Sequence, residues 1–371
     1  MKYDLQIRNG CFHSKVCGSE EICQRLKWCF ENLNVGRILM GWGIDSSSFA
    51  AVSTLVHEHG SELFLWLPVF ADLEEIAATD NSMDFRGNSM HGVPVMEGEN
   101  FLFGCPTSRR NQALPAELVD QYFDSTLIDG VFLDKVRNAS FGNGFDSAMG
   151  CFCDECDEAY RKKGIDTAYI KNLMSKGDRH HFVPVTTDGF SYTFSDPMVD
   201  GFFRAKAENM TRSLQLVAER FRTIGLKVAF DTFAPFAAWF VGQDLPALAE
   251  EAAFIKPMLY RRCLLPAGMR FEFDSIVSEL GGKACLDQMK CLLNTDDITG
   301  DPFFESQLAL LSTLPNVSPG IEINVQSGCF CTPEYVKQSL QTVAEAGFDS
   351  AVLSWDVVSA PLEHLKTLAR I

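Results

Sequence analysis

Eight short, almost continuously apolar runs recur along the chain, and each is followed by enough residues to form a helix. Strands of a parallel sheet that is covered on both faces are apolar throughout, whereas half-exposed strands alternate apolar and polar residues. Eight such strands with helical returns predict a single (β/α)8 TIM barrel. The predicted strands are Gly36–Asp45, Leu63–Asp72, Asn100–Cys105, Gly130–Arg137, Lys227–Phe233, Ile255–Arg261, Gly320–Gln326 and Ala351–Val357.

Helical patterns occupy many of the intervals between these runs. Pro115 suits a first helical turn, and Thr332 is a candidate N-cap. A doubly wound open sheet is the alternative architecture, but no glycine-rich phosphate-binding loop follows the first run. The predicted helices are Glu20–Asn32, which would cover the bottom of the barrel, Ser46–His59, Pro115–Leu127, Asp200–Thr223 and Pro333–Ala346.

Two connections are longer than those of ordinary α/β units. Leu73–Glu99 follows the second predicted strand, and residues 138–197 follow the fourth. The sequence contains no recognisable linker or internal repeat. We therefore predict one barrel domain over residues 1–371, with a long loop insertion at 138–197 that carries a cysteine cluster.

The balance of charge restricts the partners of this protein. The formal net charge is −17, with 49 acidic and 32 basic residues. An acidic surface repels phosphate groups, which argues against nucleic acid and anionic membranes as partners, and it is otherwise explained by solubility. The first residues contain no apolar signal region, and no run is long enough to cross a bilayer, so we expect a cytoplasmic protein. A homo-oligomer is compatible with the sequence.

Cysteine spacing indicates a metal site. There are thirteen cysteines, an odd number that argues against a complete disulfide framework. Cys151, Cys153 and Cys156 lie within six residues, so three thiolates could bind one ion. Zn²⁺ takes four tetrahedral ligands, and Cys105, at the end of the third predicted strand, is the candidate for the fourth. Free thiols and an iron–sulfur triplet are the alternatives, although the cysteines of such triplets are usually more widely spaced.

Polar side chains gather where the predicted strands end. Chemistry in TIM barrels lies at the C-terminal ends of the strands, because the loops that follow them meet at one mouth. Carboxylates from six predicted strands at one rim predict a functional site rather than solvated strand ends. The residues concerned are Trp42, Asp45, Asp72, Asp134, Lys135, Arg137, Asp231, Tyr260, Arg261, Glu322, Asn324, Gln326, Trp355 and Asp356.

One stretch of the chain resembles a known family. Cys105-Pro106-Thr107-Ser108, a predicted helix, a strand that ends in an acid and then Cys151-x-Cys153-x-x-Cys156 resemble the catalytic barrel of glycoside hydrolase family 42 β-galactosidases, over about residues 36–165. In that family such cysteines bind a structural zinc ion, so the resemblance implies zinc at all four cysteines and no organic cofactor. The family has Asn-Glu at the end of strand four, whereas here Val136 lies near the expected Glu. Glu322 lies two residues before Asn324, the nearest equivalent of the family's nucleophile.

A shorter resemblance concerns the fourth predicted strand. Asp129-Gly130-Val131-Phe132-Leu133-Asp134 is similar to other sugar-cleaving barrels, in which a strand-four Asp is the nucleophile and a later strand supplies the acid. Glycoside cleavage needs two carboxyl groups that differ in protonation.

These considerations assign roles to the candidate residues. Asp134, beside Lys135 and Arg137, would stay ionised and suits a nucleophile or base. Glu322, on an apolar strand, would have a raised pKa and suits the acid, with Asp231 as the alternative acid. The predicted substrate-binding residues are Trp42, Tyr260 and Trp355, which could stack on sugar rings, and Asp72, Lys135, Arg137, Arg261, Asn324, Gln326 and Asp356, which could bind polar groups.

Two other functions remain open at this point. Lys135 at a strand end could form a Schiff base in a carbonyl lyase or aldolase. The chain could also be a barrel that binds carbohydrate without turnover. Cys329 and Cys331, and His180 with His181, are interpreted as packing and solvated pairs respectively.

Overall fold

A computed structural model describes residues 1–11, 16–43, 46–72, 80–90, 92, 101–326 and 328–369. Eight parallel strands form a closed barrel in which each strand pairs with the next along the chain and the last pairs with the first. The strands are β1 Lys2–Ile7, β2 Val35–Gly41, β3 Glu62–Pro68, β4 Gly130–Asp134, β5 Lys227–Phe233, β6 Phe254–Met258, β7 Gly320–Glu322 and β8 Ser350–Ser354. The predicted TIM barrel is confirmed.

The first strand was not among the predicted ones. β1 pairs with β2 and with β8, and its side chains Asp4 and Gln6 are buried inside the barrel. Asp4 accepts a hydrogen bond from Arg37 of β2 at 3.0 Å. These buried polar residues interrupt the apolar run, so β1 lacks the pattern that identified the other strands.

The predicted strand Asn100–Cys105 is wrong. Asn100 lies outside the described residues, and Phe103 and Gly104 form only isolated antiparallel bridges, to Ala71 and Asn81. The segment is apolar for a different reason, because Phe101 and Phe103 are buried against cationic side chains of the barrel mouth.

Most other strands end earlier than predicted. The apolar pattern continues beyond the last ladder pair because residues such as Val69, Phe70 and Val136 remain buried in the loops that follow. The backbone turns sharply at two of these ends, with φ values of 60° at Asp72 and 52° at Lys135. Asp45, predicted to end a strand, lies outside the described residues.

Helices surround the barrel. They are α1 Ser19–Asn32, α2 Ser46–Glu58, α3 Arg109–Tyr122, α4 Phe145–Met149, α5 Asp154–Lys162, α6 Thr167–Ser175, α7 Pro197–Thr223, α8 Pro235–Ala238, α9 Leu245–Glu251, α10 Met269–Leu280, α11 Lys283–Leu293, α12 Asp301–Leu311, α13 Pro333–Glu345 and α14 Leu362–Leu368. Short 3₁₀ helices lie at Ser125–Leu127, Phe141–Asn143, His180–Phe182 and Trp239–Val241. Within the described part of the chain, every helix is too short or too polar to cross a membrane.

The helix ends show which capping signals are reliable. Thr332 caps α13 by accepting a hydrogen bond from the backbone N–H of Tyr335 at 3.2 Å, as predicted. Pro115 does not begin a helix. It lies inside α3, which starts behind Ser108, whose hydroxyl accepts from Asn111 N.

Residues 138–196 are not a simple loop. They contain α4, α5, α6 and an antiparallel hairpin of Pro184–Thr187 with Tyr192–Phe194. Residue 197 already belongs to α7. Aromatic stacking joins this insertion to α7, because Phe152 stacks on Phe202 and Phe194 on Phe203, with centroid separations of 5.6 and 4.4 Å. The insertion is therefore a packed layer beside the barrel.

The barrel interior is filled by side chains rather than forming a pore. Its central apolar cluster consists of Leu39, Phe64, Trp66, Phe132, Ala229, Phe254 and Val352. Polar side chains lie on both sides of this cluster along the barrel axis: Asp4 and Arg37 towards the start of the strands, and Asp134 and Asp231 towards their ends.

Candidate active site and cysteine cluster

A pocket with a cavity volume of about 80 Å³ opens at the C-terminal ends of the strands. Its charged lining residues are Arg8, Asp134, Lys135, Arg137 and Asp231, and its aromatic ones are Trp66, Phe101, Phe233 and Trp355. Gln326, Met258 and the loop that follows β6 complete the wall. The structure thus brings together six of the predicted site residues: Asp134, Lys135, Arg137, Asp231, Gln326 and Trp355.

Asp134 ends β4 at the pocket wall. Trp66 donates its indole N–H to Oδ2 at 3.1 Å, and the backbone N–H of Lys135 donates to Oδ1 at 2.5 Å. Both carboxylate oxygens therefore accept a hydrogen bond, which holds the group in one orientation.

Asp231 lies beside Asp134 on the neighbouring strand. Leu133 of β4 pairs with Phe230 of β5, so Asp134 and Asp231 occupy the next position on the two strands. Asp231 is only 3% exposed, and Lys256 of β6 donates to its Oδ2 at 2.9 Å. Burial raises the pKa of Asp231 to about 7, Lys256 opposes that rise, and the charge of Asp134 adds to it.

Lys135 and Arg137 are held by contacts on several sides. Lys135 Nζ lies 3.2 Å from Asp72 Oδ2 and 4.1 Å from the centroid of the Phe101 ring. The Arg137 guanidinium lies 4.7 and 4.5 Å from the Phe103 and Phe233 ring centroids. Arg137 also donates to the carbonyl oxygen of Asn138 at 3.0 Å. Asp72 therefore supports the site through Lys135 rather than lining the pocket.

Glu322 does not line the pocket. It is fully buried at the end of β7, where its Oε1 accepts from the Tyr335 hydroxyl at 2.9 Å and from the Arg262 backbone N–H at 2.5 Å. Burial raises the pKa of Glu322 to about 7, and the Arg262, Tyr335 and Arg261 groups oppose the rise. Glu322, the residue predicted to be the acid, therefore lies away from the pocket wall.

Two other predicted residues, Arg261 and Asn324, form hydrogen bonds with neighbouring elements and do not line the pocket. Arg261 donates to Asp301 at the start of α12, at 2.5 Å, and to Ser339 of α13, at 2.9 Å. Asn324 accepts from the backbone N–H groups of Trp355 and Asp356 and so positions the loop after β8.

Three further predicted residues lie near the mouth without lining the pocket. Asp356 accepts hydrogen bonds from the Val358 and Ser359 backbone within its own turn. Tyr260 is fully buried, edge-on to Trp355 at a centroid separation of 4.8 Å. Trp42 is half-buried against the main core.

Several pocket residues were not predicted. Lys256, which contacts Asp231 without lining the pocket, was also not predicted, and it could have been identified as a lysine inside an otherwise apolar strand. Trp66 could have been identified from alternation, because it lies on the same face of β3 as Phe64. Arg8 directly follows β1, a strand that was not predicted. Phe101 and Phe233 resemble ordinary core residues in the sequence.

Four cysteines converge beside the pocket. Cys105 Sγ lies 3.5 Å from the sulfurs of both Cys153 and Cys156, and all four sulfurs, including that of Cys151, lie within 4.8 Å of one another. A tetrahedral site with metal–sulfur bonds of about 2.3 Å needs sulfur separations of about 3.8 Å, so the group could hold a metal ion. The predicted clustering of these cysteines is confirmed.

Neighbouring groups are suited to thiolate sulfurs. Thr107 Oγ1 lies 3.1 Å from Cys105 Sγ and 3.0 Å from Cys156 Sγ, and the Met83 backbone N–H donates to Cys151 Sγ at 3.4 Å. Cys105 was predicted to end a barrel strand, and this is wrong. It follows the segment that carries Phe101 and Phe103. The cluster therefore joins the insertion to one wall of the pocket.

Comparisons with known proteins bear on the fold. No family model and no curated protein matches the sequence. The glycoside hydrolase domain of PgaB (BpsB) from Bordetella bronchiseptica is similar in structure, with TM-score 0.57, 11% identity, and coverage of 96% of this chain and 94% of that one.

Two longer enzymes are also similar. The β-galactosidase of the psychrophilic Marinomonas ef1 has TM-score 0.58 and 11% identity, with 100% of this chain and 58% of that one covered. The α-L-fucosidase isoenzyme 2 of Paenibacillus thiaminolyticus has TM-score 0.55 and 12% identity, with coverage of 100% and 48%. The chain thus spans about half the length of these two enzymes. It shares with all three the barrel fold on which these glycoside hydrolases are built.

Proposed function

We propose that this protein hydrolyses a glycosidic bond, with Asp134 as nucleophile or base and Asp231 as acid. The observation that carries the proposal is the pair of carboxyl groups in one pocket, on adjacent positions of β4 and β5, in different environments. Asp134 accepts a hydrogen bond at each of its two carboxyl oxygens, whereas burial raises the pKa of Asp231 to about 7. Glycosidases separate their acid and nucleophile in this way.

The adjacent positions of Asp134 and Asp231 lead us to propose retention of anomeric configuration. The backbones of neighbouring strands lie about 4.8 Å apart, so side chains at adjacent positions can bring their carboxyl groups to the separation of about 5–5.5 Å that retaining enzymes use. Asp134 would attack the anomeric carbon while Asp231 gives its proton to the leaving oxygen. Asp231, now a carboxylate, would then take a proton from water, and the hydroxide formed would displace Asp134 from the sugar.

The rest of the pocket suits a sugar. Trp355, which is half-buried, offers an aromatic face, and Gln326 offers an amide. The ammonium of Lys135 contacts Asp72 and Phe101, which favours a binding role over a Schiff base. Glu322 is the alternative acid, but it would have to reach the substrate from outside the observed pocket wall.

We also propose that Cys105, Cys151, Cys153 and Cys156 hold a structural zinc ion. The support is their sulfur separations and the absence of a place for a substrate among four protein ligands. The ion would hold the start of α5 against the segment that carries Phe101 and Phe103, and so would stabilise the pocket wall.

The catalytic proposal is tested by turnover of activated aryl glycosides. Asp134→Asn should lower kcat by about 10²–10⁴-fold or more without changing the melting temperature appreciably. Azide should partly restore turnover to Asp134→Ala and form a glycosyl azide. Asp274→Asn, an exposed aspartate of α10, is the control and should behave as wild type. A wild-type rate for Asp134→Asn would contradict the assignment.

A further inference from the structure

The described residues enclose only a small pocket at the mouth of the barrel. Its cavity volume is about 80 Å³, whereas sites that enclose a whole small molecule usually measure about 300–1,000 Å³. In the proposed reaction, the parts of the substrate that do not fit in this pocket would therefore lie on the surface beside it. The character of that surface bears on the class of substrate.

A larger cavity lies directly beside the pocket. It has a volume of about 490 Å³ and lies between the 3₁₀ helix Phe141–Asn143 and one face of α10, from residue 270 to residue 279. We call it the α10 groove. The segment 263–267 separates it from the pocket, because Cys263 and Leu265 line the pocket, whereas Leu264, between them in the chain, lines the groove. A ligand that leaves the pocket over Leu264 would therefore enter the groove.

We infer that the α10 groove binds sugar units that are linked to the unit in the pocket, so that the substrate is a neutral oligosaccharide or polysaccharide rather than a small glycoside. This inference rests on the proposed function, because it assigns the substrate class of the same site. Its first support is the continuity of the groove with the pocket across a single segment of chain.

The lining of the groove offers both kinds of contact that a sugar unit makes. Leu264 is 54% exposed, and the half-buried ring of Phe271 adds aromatic surface for the C–H groups of a sugar. A Cβ at position 142 would lie 2.5 Å from Phe271 Cε1, so Gly142 allows this ring to lie against the backbone. The hydroxyls of Ser275 and Ser278 lie on the same face of α10 and suit sugar hydroxyls.

The groove is attached at both ends to elements of the site. Glu272 of α10 accepts a hydrogen bond from the backbone N–H of Ala267, a pocket residue, at 2.9 Å. Glu279, near the other end of α10, accepts from the backbone N–H of Phe145 in the insertion, also at 2.9 Å. A wall that is held in place before the ligand arrives loses less entropy on binding.

The charges of the groove favour a neutral chain. Its charged lining residues are Arg270, Asp274 and Glu279, one positive and two negative. Arg270 already pairs with Asp274, with Nε 2.6 Å from Oδ2. The whole protein carries a net charge of −17, so a polyanionic chain would be repelled rather than attracted.

The first experiment measures binding against chain length and needs no turnover. Calorimetry on Asp134→Asn compares each monosaccharide with its linear tetrasaccharide, for β-1,4-linked glucose, N-acetylglucosamine, mannose and xylose and for α-1,4-linked glucose. We expect the tetrasaccharide of at least one series to bind more tightly by about tenfold or more, because the added units contact the groove. Tetrasaccharides that bind no more tightly than the monosaccharides in every series would overturn the inference.

Variants test whether the groove causes this gain. Phe271→Ala and Leu264→Ser should each reduce the gain by about fivefold to tenfold and leave the affinity for the monosaccharide within about twofold. Phe271→Leu keeps apolar packing against Gly142 and separates loss of the ring from loss of folding. Tyr122→Ala removes an aromatic ring of α3 that is 57% exposed, and as the matched control it should retain the full gain. A full gain in both groove variants would place the added units elsewhere.

Other occupants of the groove give different results. Tighter binding of polygalacturonate or alginate than of any neutral glycan would contradict the neutral substrate. A dimer in sedimentation velocity that Leu264→Ser abolishes, without any gain from chain length, would assign the groove to a second copy of the chain.

Hydrolysis separates this inference from the catalytic proposal. A gain from chain length in Asp134→Asn, with no hydrolysis of any glycoside by the wild type, would support the groove and refute the hydrolase. Hydrolysis of aryl monoglycosides with no gain from chain length in any series would support the hydrolase and overturn the role of the groove.

Discussion

Replacement of Lys256 by methionine tests the proposed acid directly. Lys256 is fully buried, and its ammonium lies 2.9 Å from Asp231, which is 3% exposed. Methionine keeps much of the length of the lysine side chain but removes its charge and its donors. Because Lys256 stabilises the carboxylate form of Asp231, its removal should raise the pKa of Asp231 above its present value of about 7.

The size of the shift follows from the contact that is lost. A hydrogen bond to a charged group contributes about 1.5–3 kcal/mol, and one pKa unit corresponds to about 1.4 kcal/mol. The pKa should therefore rise by about one to two units. An acid must be protonated to act, so the fall of kcat/KM on the alkaline side should move from near pH 7 to about pH 8–9.

The pH dependence of folding stability should also shift to higher pH in Lys256→Met. The folded-state pKa of Asp231 is raised above its unfolded value, so its contribution to stability is present below about pH 4 and is lost as the pH rises through about 7. In Lys256→Met this loss should continue to higher pH, because the folded-state pKa is higher still.

The assays are a pH–rate profile and the titration of the Asp231 carboxyl followed by carbon NMR or infrared spectroscopy, which does not depend on activity. Lys206→Met is the control, because Lys206 is also buried but donates to the carbonyl oxygens of Ala148 and Phe240, away from Asp231. It should lower stability without moving the titration. A pKa of Asp231 that stays unchanged or falls in Lys256→Met would refute the reasoning.

Three further outcomes are expected. Glu322→Gln keeps an acceptor for the Tyr335 hydroxyl, so the fall of kcat/KM at alkaline pH should match that of the wild type. Disappearance of this fall in the variant would instead identify Glu322 as the acid. Cys105→Ser should reduce bound zinc, measured by elemental analysis, and lower both melting temperature and kcat/KM; unchanged metal content would exclude Cys105 as a ligand. Arg261→Met should lower the melting temperature by several degrees with KM unchanged, because Arg261 joins the barrel to α12 and α13; a raised KM with normal stability would place it at the substrate.

The barrel could be predicted because its strands are covered on both faces. Runs such as Lys227–Phe233 are apolar along nearly their whole length, and this strand has the predicted bounds. β1 escaped detection because Asp4 and Gln6 point into the barrel, where a polar residue is normally unexpected. Phe101 and Phe103 misled the prediction because aromatic residues that cover cations look like strand residues in a sequence.

The site could be predicted in position but not in detail. Polar residues after apolar strands indicated the mouth, and Asp134, Asp231 and Arg137 do line one pocket there. Alternation along a strand does not show how far a side chain reaches or which helix covers it. Glu322 illustrates this, because the Tyr335 hydroxyl that contacts its carboxyl comes from α13.

The cysteines were predictable because their chemistry is local. Cys151, Cys153 and Cys156 lie within six residues, so they are close together in whatever conformation the segment adopts. Only the fourth cysteine had to be inferred. That partner, Cys105, is brought near by the path of the chain between β3 and α3, although this path contains no barrel strand. The grouping of the four cysteines was thus predicted correctly, although the secondary structure predicted around Cys105 was wrong.

Two buried ion pairs inside the barrel indicate different roles. Asp4 and Arg37 lie near the start of the strands, and Asp231 and Lys256 lie near their ends, on opposite sides of the apolar cluster around Phe64 and Phe254. Arg37 remains 24% exposed, so the Asp4–Arg37 pair keeps contact with water, whereas Lys256 of the other pair is fully buried. Fully buried pairs contribute little net stability, because desolvation offsets their attraction. The Asp231–Lys256 pair therefore suits the role in proton transfer that we propose for Asp231.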